Sequence, residues 1–210
     1  MTIAHHPSDE SVLAYANGSL SAALGLAVAA HADGCDVCRQ TVGLVENMGG
    51  VFLESAPPMA LPAGALADVL ARLETPGIQP RIPPVPQPDD AILLPPALRH
   101  LNVGARRWLA PGIWTRPILK DPAHGTRLYL LGAGAGKSLP RHGHHGIEMT
   151  QVLQGEFFDD GIRFGRGDFL EADGGHEHRL MVGANGDCVC VIASEGLPRG
   201  LVGLLMRAFT

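Results

Sequence analysis

Aromatic side chains are scarce, at 5% of the 210 residues, and only 18% of the chain is charged, yet 46% is hydrophobic and a globular protein remains the natural class. Long apolar runs are missing. The longest helical apolar stretch, roughly Leu20 to Ala30, is far short of the ~20 residues needed to cross a bilayer, so no membrane span is expected. The opening MTIAHHPSDE lacks a basic segment followed by an apolar one, so no signal peptide is expected and a cytoplasmic location follows. Thiols stay reduced there, and the four cysteines read as ligands or buried residues rather than disulfides. A basic excess is also absent. Residues 1–75 carry eight acidic side chains against Arg39 and Arg72, a balance of −6, while the remainder holds 13 acidic and 14 basic residues, +1. An acidic first segment does not grip nucleic acid. It suits a basic protein partner, or simply solvated helix faces.

Glycine (27) and proline (17), by contrast, are plentiful and imply many turns and a linker. Residues 8–74 read as helices. Ser8 can cap a helix from Asp9 with Val12, Leu13 and Ala16 on one face, ended by Gly18. Ser19 or Ser21 opens a second helix that stops near Gly34. Asp36 starts a third, running to about Ser55 with Val42, Val45, Met48 and Phe52 as its apolar side and a weak point at Gly49-Gly50. A short fourth helix fits Ala65 to Glu74. From Thr75 to Pro88 there are six prolines in fourteen residues, an extended spacer. The chain therefore divides into a helical domain at 1–75, a Pro-rich linker at 76–90 and a second domain at 91–210.

Beyond the linker, short β-type runs alternate with glycine turns: Gly112–Leu119, Arg127–Leu131, Met149–Leu153, Glu156–Phe158, Asp168–Leu170, Arg179–Val182 and Cys188–Ala193. Such spacing indicates a small antiparallel sandwich or barrel. The tail from Gly200 to Phe209 fits a short amphipathic helix or a closing strand.

Two clusters carry chemistry. In GKSLPRHGHHGIEMTQVLQG (136–155), His142 and His144 share one face of a strand because the side-chain period is two, and Glu148 can return to the same cavity after the glycine bend. His145 points the other way. Two imidazoles and a carboxylate suit Zn²⁺, Fe²⁺, Mn²⁺ or Ni²⁺, and GGHEHRL supplies His176 and His178 as candidates for a fourth ligand. His100 and His124 lie outside any motif and are expected on the surface. In the helical half, His31, Cys35 and Cys38 form H-x3-C-x2-C at a helix–turn–helix corner, where a helix N-terminus favours thiolate. A closed tetrahedral zinc site needs one more ligand, and His5 and His6 are the nearby candidates. A redox C-x2-C pair is the competing reading, but no βαβ pattern surrounds it. Because this half has few large apolar residues, metal binding is expected to contribute directly to its folding. Cys188 and Cys190 alternate on one strand, read as buried packing or as an oxidisable pair, and a local disulfide between them is disfavoured.

The cluster at residues 136–155 resembles the cupin superfamily, a small β-barrel fold. Gly136, His142, His144, Glu148 and Gly155 fit that family's first motif without a gap. Gly167 and Gly175 lie at glycine positions of the second motif, which puts its ligand on His178, with Asp173 standing where proline is usual. HPSDESVLAYANGSL, the H-x3-C-x2-C corner, the linker and the cupin together resemble the ChrR-type zinc-binding anti-sigma factors over nearly the whole chain. The resemblance implies an α+β two-domain protein, a small zinc-binding helical domain followed by a cupin β-barrel (double-stranded β-helix). It places Zn²⁺ on His6, His31, Cys35 and Cys38, His6 being the histidine that directly precedes Pro7, and Zn²⁺ or another divalent metal on His142, His144, Glu148 and His178. It further implies a 1:1 complex with an extracytoplasmic-function (ECF) sigma factor, blocked from RNA polymerase, and release on a singlet-oxygen or organic-peroxide signal through the cupin. No enzymatic activity, direct nucleic-acid contact or membrane contact is implied. A cupin metalloenzyme such as a dioxygenase is the alternative.

Overall fold

The computed structural model describes residues 3–74, 92–175, 177–200 and 203. The 76–90 linker, His176 and most of the tail therefore lie outside the described residues.

Four helices come first. In α1 (Asp9–Ala16) the Ser8 hydroxyl accepts from the Ser11 N–H at 3.2 Å, the capping expected from the sequence. Next, α2 (Ala22–Ala32) buries Ala23, Leu24, Ala27, Val28, Ala30 and His31. Small side chains dominate this helix, so it can lie close against a flat surface. Helix α3 (Asp36–Ser55) buries only Cys38 and Val42, both near its start. It continues as one helix through Gly49-Gly50. Of the apolar side expected from Val42 to Phe52, Val42 is buried and Val45 half-buried, whereas Met48 and Phe52 are exposed where α3 runs beyond its contacts with the other helices. In α4 (Ala65–Glu74) none of the residues with described side chains, 65–73, is buried.

After a 3-10 turn at Pro96–Leu98 the chain is β-structure: β1 (Arg107–Ala110), β2 (Ile113–Asp121), β3 (Thr126–Ala133), β4 (Glu148–Gln154), β5 (Glu156–Asp159), β6 (Ile162–Gly165), β7 (Phe169–Ala172), β8 (Leu180–Val182) and β9 (Cys188–Glu195). Strands β1 and β6 go beyond the seven expected. The signal for β6 was the Asp160-Gly161 pair, which takes φ of 45° and 87° and closes a two-residue hairpin. All pairings are antiparallel, in one six-stranded sheet ordered β1-β2-β3-β9-β4-β7 and one three-stranded sheet ordered β6-β5-β8. The two sheets stack instead of closing into a single hydrogen-bonded barrel.

The strand period of two divides the central strands between two cores. Tyr129, Leu131, Cys188, Cys190 and Ile192 face the smaller sheet and pack with Phe157, Phe164, Leu180 and Val182. Leu128, Leu130, Val189, Val191 and Ala193 face the other way, where Ala23, Leu24, Ala27 and Val28 of α2 lie against them. The helical and β halves thus share one hydrophobic core. Its closeness places the end of α2 beside the β6–β7 turn, and there the first candidate site is built.

Candidate metal centres

Three elements converge at the first centre. His31 stands in the last turn of α2, Cys35 is the residue before α3, and Cys38 lies in the first turn of α3. His6 arrives on the N-terminal segment. That segment is laid along the β half: the Ala4 and His5 N–H groups donate to Asp168 Oδ1 at 2.7 and 3.0 Å, and the Phe169 N–H donates to the His5 carbonyl at 3.1 Å. The His6 Nδ1 lies 3.3 Å from Cys35 Sγ and 3.6 Å from Cys38 Sγ. All four candidate ligand atoms lie within 4.8 Å of one another. Zinc bound tetrahedrally at ordinary Zn–S and Zn–N lengths separates sulfur from nitrogen by about 3.6 Å, so the spacing fits. His5 turns aside, its ring centroid 4.4 Å from that of Phe164.

The fit is sharpest at His31, which is 0% exposed. A carbonyl can only accept, so the 3.0 Å contact with the Gly167 oxygen puts the proton on Nδ1 and leaves a lone pair on Nε2. That Nε2 is buried with no protein partner. A bare buried acceptor costs free energy, and a cation among the two sulfurs and His6 would satisfy it. Burial first, and His6 second, hold the His31 imidazole down to about 4, so it is neutral and able to ligate at ordinary pH. The Cys38 thiol is pushed up to about 12 by burial and by Cys35 beside it. Without metal it keeps its proton; with metal it must release it.

The second centre sits between the sheets. His142 and His178 exchange backbone hydrogen bonds at 3.1 and 3.0 Å, His144 follows on the same loop, and Glu148 is the first residue of β4. All four side chains are buried. His178 Nε2 lies 3.0 Å from His144 Nε2 and 3.3 Å from His142 Nε2, and Glu148 Oε2 lies 3.3 Å from His144 Nδ1. The Pro140 carbonyl, 2.9 Å from His142 Nδ1, fixes the proton there and turns the His142 Nε2 lone pair inward. Burial lowers the pKa of both His142 and His178, keeping them neutral. Three converging imidazoles and one carboxylate fit a divalent metal, and this donor set leaves the identity of the metal open. Against His142 and Glu148 lies a cavity of about 20 Å³, walled by Tyr129, Leu139, Leu180 and Pro198, with room for about one water.

The structure brings together the two candidate ligand sets that the resemblance named, without His5 and with His176 outside the described residues, and His145, His100 and His124 are exposed as expected. Cys188 and Cys190 are free and buried, with their sulfurs 3.7 Å apart. Residues that hold the ligands were not evident beforehand: Asp159, 3.4 Å from His178 Nδ1, and Gly167, Asp168 and Glu171 around the first centre.

Residues 99–197 match the family described as the ChrR cupin-like domain. Over 199 residues the chain is 39% identical to the anti-sigma-E factor ChrR of Cereibacter sphaeroides, covering 93% of this chain and 91% of that one. This chain belongs to the ChrR family. The solved structure of Rhodobacter sphaeroides SigE in complex with the anti-sigma ChrR matches it with a TM-score of 0.77 at 35% identity, over 92% of this chain and 99% of that one. The ChrR likeness spans both halves, so it carries the stacked cupin sheets and the helices together. It joins them to a regulator, not an enzyme. Among the described residues, no helix of this ChrR family member is long and apolar enough to cross a membrane.

Proposed function

We propose that this chain is an anti-sigma factor that binds an ECF sigma factor 1:1 and keeps it from RNA polymerase, a cytoplasmic function. The observation that carries the reading is the apolar surface of α3 and α4. Leu44, Met48, Val51 and Phe52 line one side of the projecting part of α3, and Leu66, Val69, Leu70 and Leu73 recur at helical spacing on α4. Phe52 is 71% exposed and Leu73 76%. Apolar faces of this extent mark a protein interface, and paired amphipathic helices suit grooves on a helical partner. The relative whose structure was solved with SigE supports the identity of that partner. In this reading residues 1–75 form the binding domain, 76–90 the linker and 91–210 the sensing domain. Zinc held by His6, His31, Cys35 and Cys38 fixes the corner from which α3 projects. A second divalent metal on His142, His144, Glu148 and His178 makes the cupin responsive to an oxidative signal of the singlet-oxygen or organic-peroxide type, which releases the sigma factor.

The cavity at the second centre speaks against the metalloenzyme alternative. With room for about one water, it does not accommodate the organic substrate of a dioxygenase. The test is direct. Full-length zinc-loaded protein, mixed with the ECF sigma factors of its own genome, should form a 1:1 complex with one of them and inhibit its transcription. Failure with all of them overturns the reading. His142→Ala should keep inhibition and lose the response to oxidant; loss of sigma binding in that variant would remove the separate sensing role.

A further inference from the structure

The partners of the four ligands at the N-terminal centre divide cleanly by origin. Both thiols belong to α3 and the residue before it, and their placement is set within the helical half. Both imidazoles are held from the β half, at the β6–β7 turn and the start of β7. His31 Nδ1 donates to the Gly167 carbonyl at 3.0 Å, and the Phe169 ring meets the His31 ring edge-on at 5.4 Å. The carbonyl of Ala30, immediately before His31, accepts from Gln151 Nε2 of β4 at 3.2 Å. For His6 the hold is the Asp168 carboxylate. Its Oδ1 takes the Ala4 and His5 N–H groups while its Oδ2 takes the Gly165 N–H at 2.8 Å, so one buried side chain ties the N-terminal segment to the turn. Glu171 adds a second tie, accepting from Ser8 Oγ and from Ser11 Oγ at 2.9 Å.

We propose that the cupin half completes the N-terminal zinc site: Asp168, with the Gly167 carbonyl, positions both histidine ligands, so that zinc affinity in the helical half is set from the β6–β7 turn. This rests on the reading that His6, His31, Cys35 and Cys38 hold zinc. Asp168 is a positioning residue, acting through His5 and the Gly167–Asp168 turn. Partners of metal-bound imidazoles raise affinity by fixing ring orientation and tautomer, and removing them costs roughly 10–100-fold. The turn is also well placed to feel the cupin metal site. Strand β7 pairs with β4 in the register Glu148↔Ala172 and Gln151↔Phe169, so Glu148 of the cupin cluster and the Ala30 contact lie on the same strand. Movement of that strand pair would reach both imidazoles and leave the thiolates in place.

The test uses the full-length protein loaded with Co²⁺ and then titrated with Zn²⁺. Thiolate-to-cobalt charge transfer reports this site alone, with the double variant Cys35→Ser, Cys38→Ser as the blank. Asp168→Ala is expected to keep the thiolate band, to change the visible ligand-field bands that report imidazole geometry, and to bind Co²⁺ and Zn²⁺ about 10–100-fold more weakly. Asp168→Asn, which retains one acceptor oxygen for Ala4 and His5, should recover part of the loss. Should Asp168→Ala not fold, Glu171→Gln, on a half-buried side chain, carries the test with a several-fold loss of affinity. Wild-type affinity within twofold and unchanged ligand-field bands in the folded variants would overturn the proposal while leaving the zinc site standing. A wild-type protein with no thiolate band would overturn the site itself.

Discussion

At the Cys38 sulfur, burial and the adjacent Cys35 hold the metal-free thiol at about 12, so at neutral pH a proton occupies the place a metal would take. His31, held down to about 4, adds no proton competition above about pH 5. Zinc affinity is therefore expected to rise with pH, by about tenfold per unit for each thiol proton displaced, and calorimetry in buffers of different ionisation enthalpy should register at least one proton released. An affinity flat between pH 6 and 8 would show that the thiolates form without metal. Glycine makes a second residue-scale case. Gly155 has a φ of 72°, and a Cβ there would lie 2.3 Å from the Asp187 carbonyl oxygen, a backbone atom with little freedom to yield. Gly155→Ala should destabilise the β half by at least about 2 kcal/mol, measured by denaturant unfolding followed through tryptophan fluorescence. A near-native midpoint would mean that the turn relaxes. Six of the eight candidate ligands were legible because H-x-H with its glutamate and H-x3-C-x2-C are local patterns with local geometric meaning, whereas His6 and His178 were singled out from His5 and His176 by the family resemblance. Asp168 was not legible. Its partners Ala4 and His5 are 164 and 163 positions away, and no spacing along the chain announces a contact of that range.

Among the elements, helices α3 and α4 were readable in extent and type, since periodicity and length agree. Which part of α3 would be covered was not readable, because the pattern of Val42, Val45, Met48 and Phe52 is equally suited to an intramolecular core and to a partner's groove. The fold decides it. Only Cys38 and Val42 of α3 are buried, and from Met48 to Ser55 every residue but the half-buried Gly50 is exposed. The exposure gives a prediction that separates binding from folding. Phe52→Asp or Leu73→Asp should lower sigma-factor affinity by tenfold or more, as expected of apolar anchors at an interface, while the melting temperature stays within a degree or two of wild type. Surface plasmon resonance and calorimetry on the same preparations check both halves of the statement. A fall in melting temperature equal to that of a core variant would instead place these side chains in an internal contact.

For the whole molecule, the sequence pattern reads as a helical half, a proline-rich linker and a β half. The structure adds a core that the two halves share. Leu24 and Val28 are 3% and 0% exposed, and they belong to one core cluster with Leu128, Leu130, Met149 and Val191 of the sheet. Burial of each such side chain contributes about 1.5–3 kcal/mol, so α2 belongs energetically to the β half even though its last turn holds His31. Metal binding to the folded state adds stability by mass action, about 4 kcal/mol at a thousandfold excess over Kd. Because the corner that would hold zinc is fixed to α2, part of that gain should reach the sheet. Trp114 offers a reporter, since it lies in β2 and packs within the shared core. Cys35→Ser is expected to lower the unfolding temperature read from tryptophan fluorescence, along with that read from helical circular dichroism, and chelation of the wild type should do the same. A tryptophan transition unmoved in Cys35→Ser, with only the helical signal lost, would show that the two halves unfold independently and that the common core transmits nothing between them.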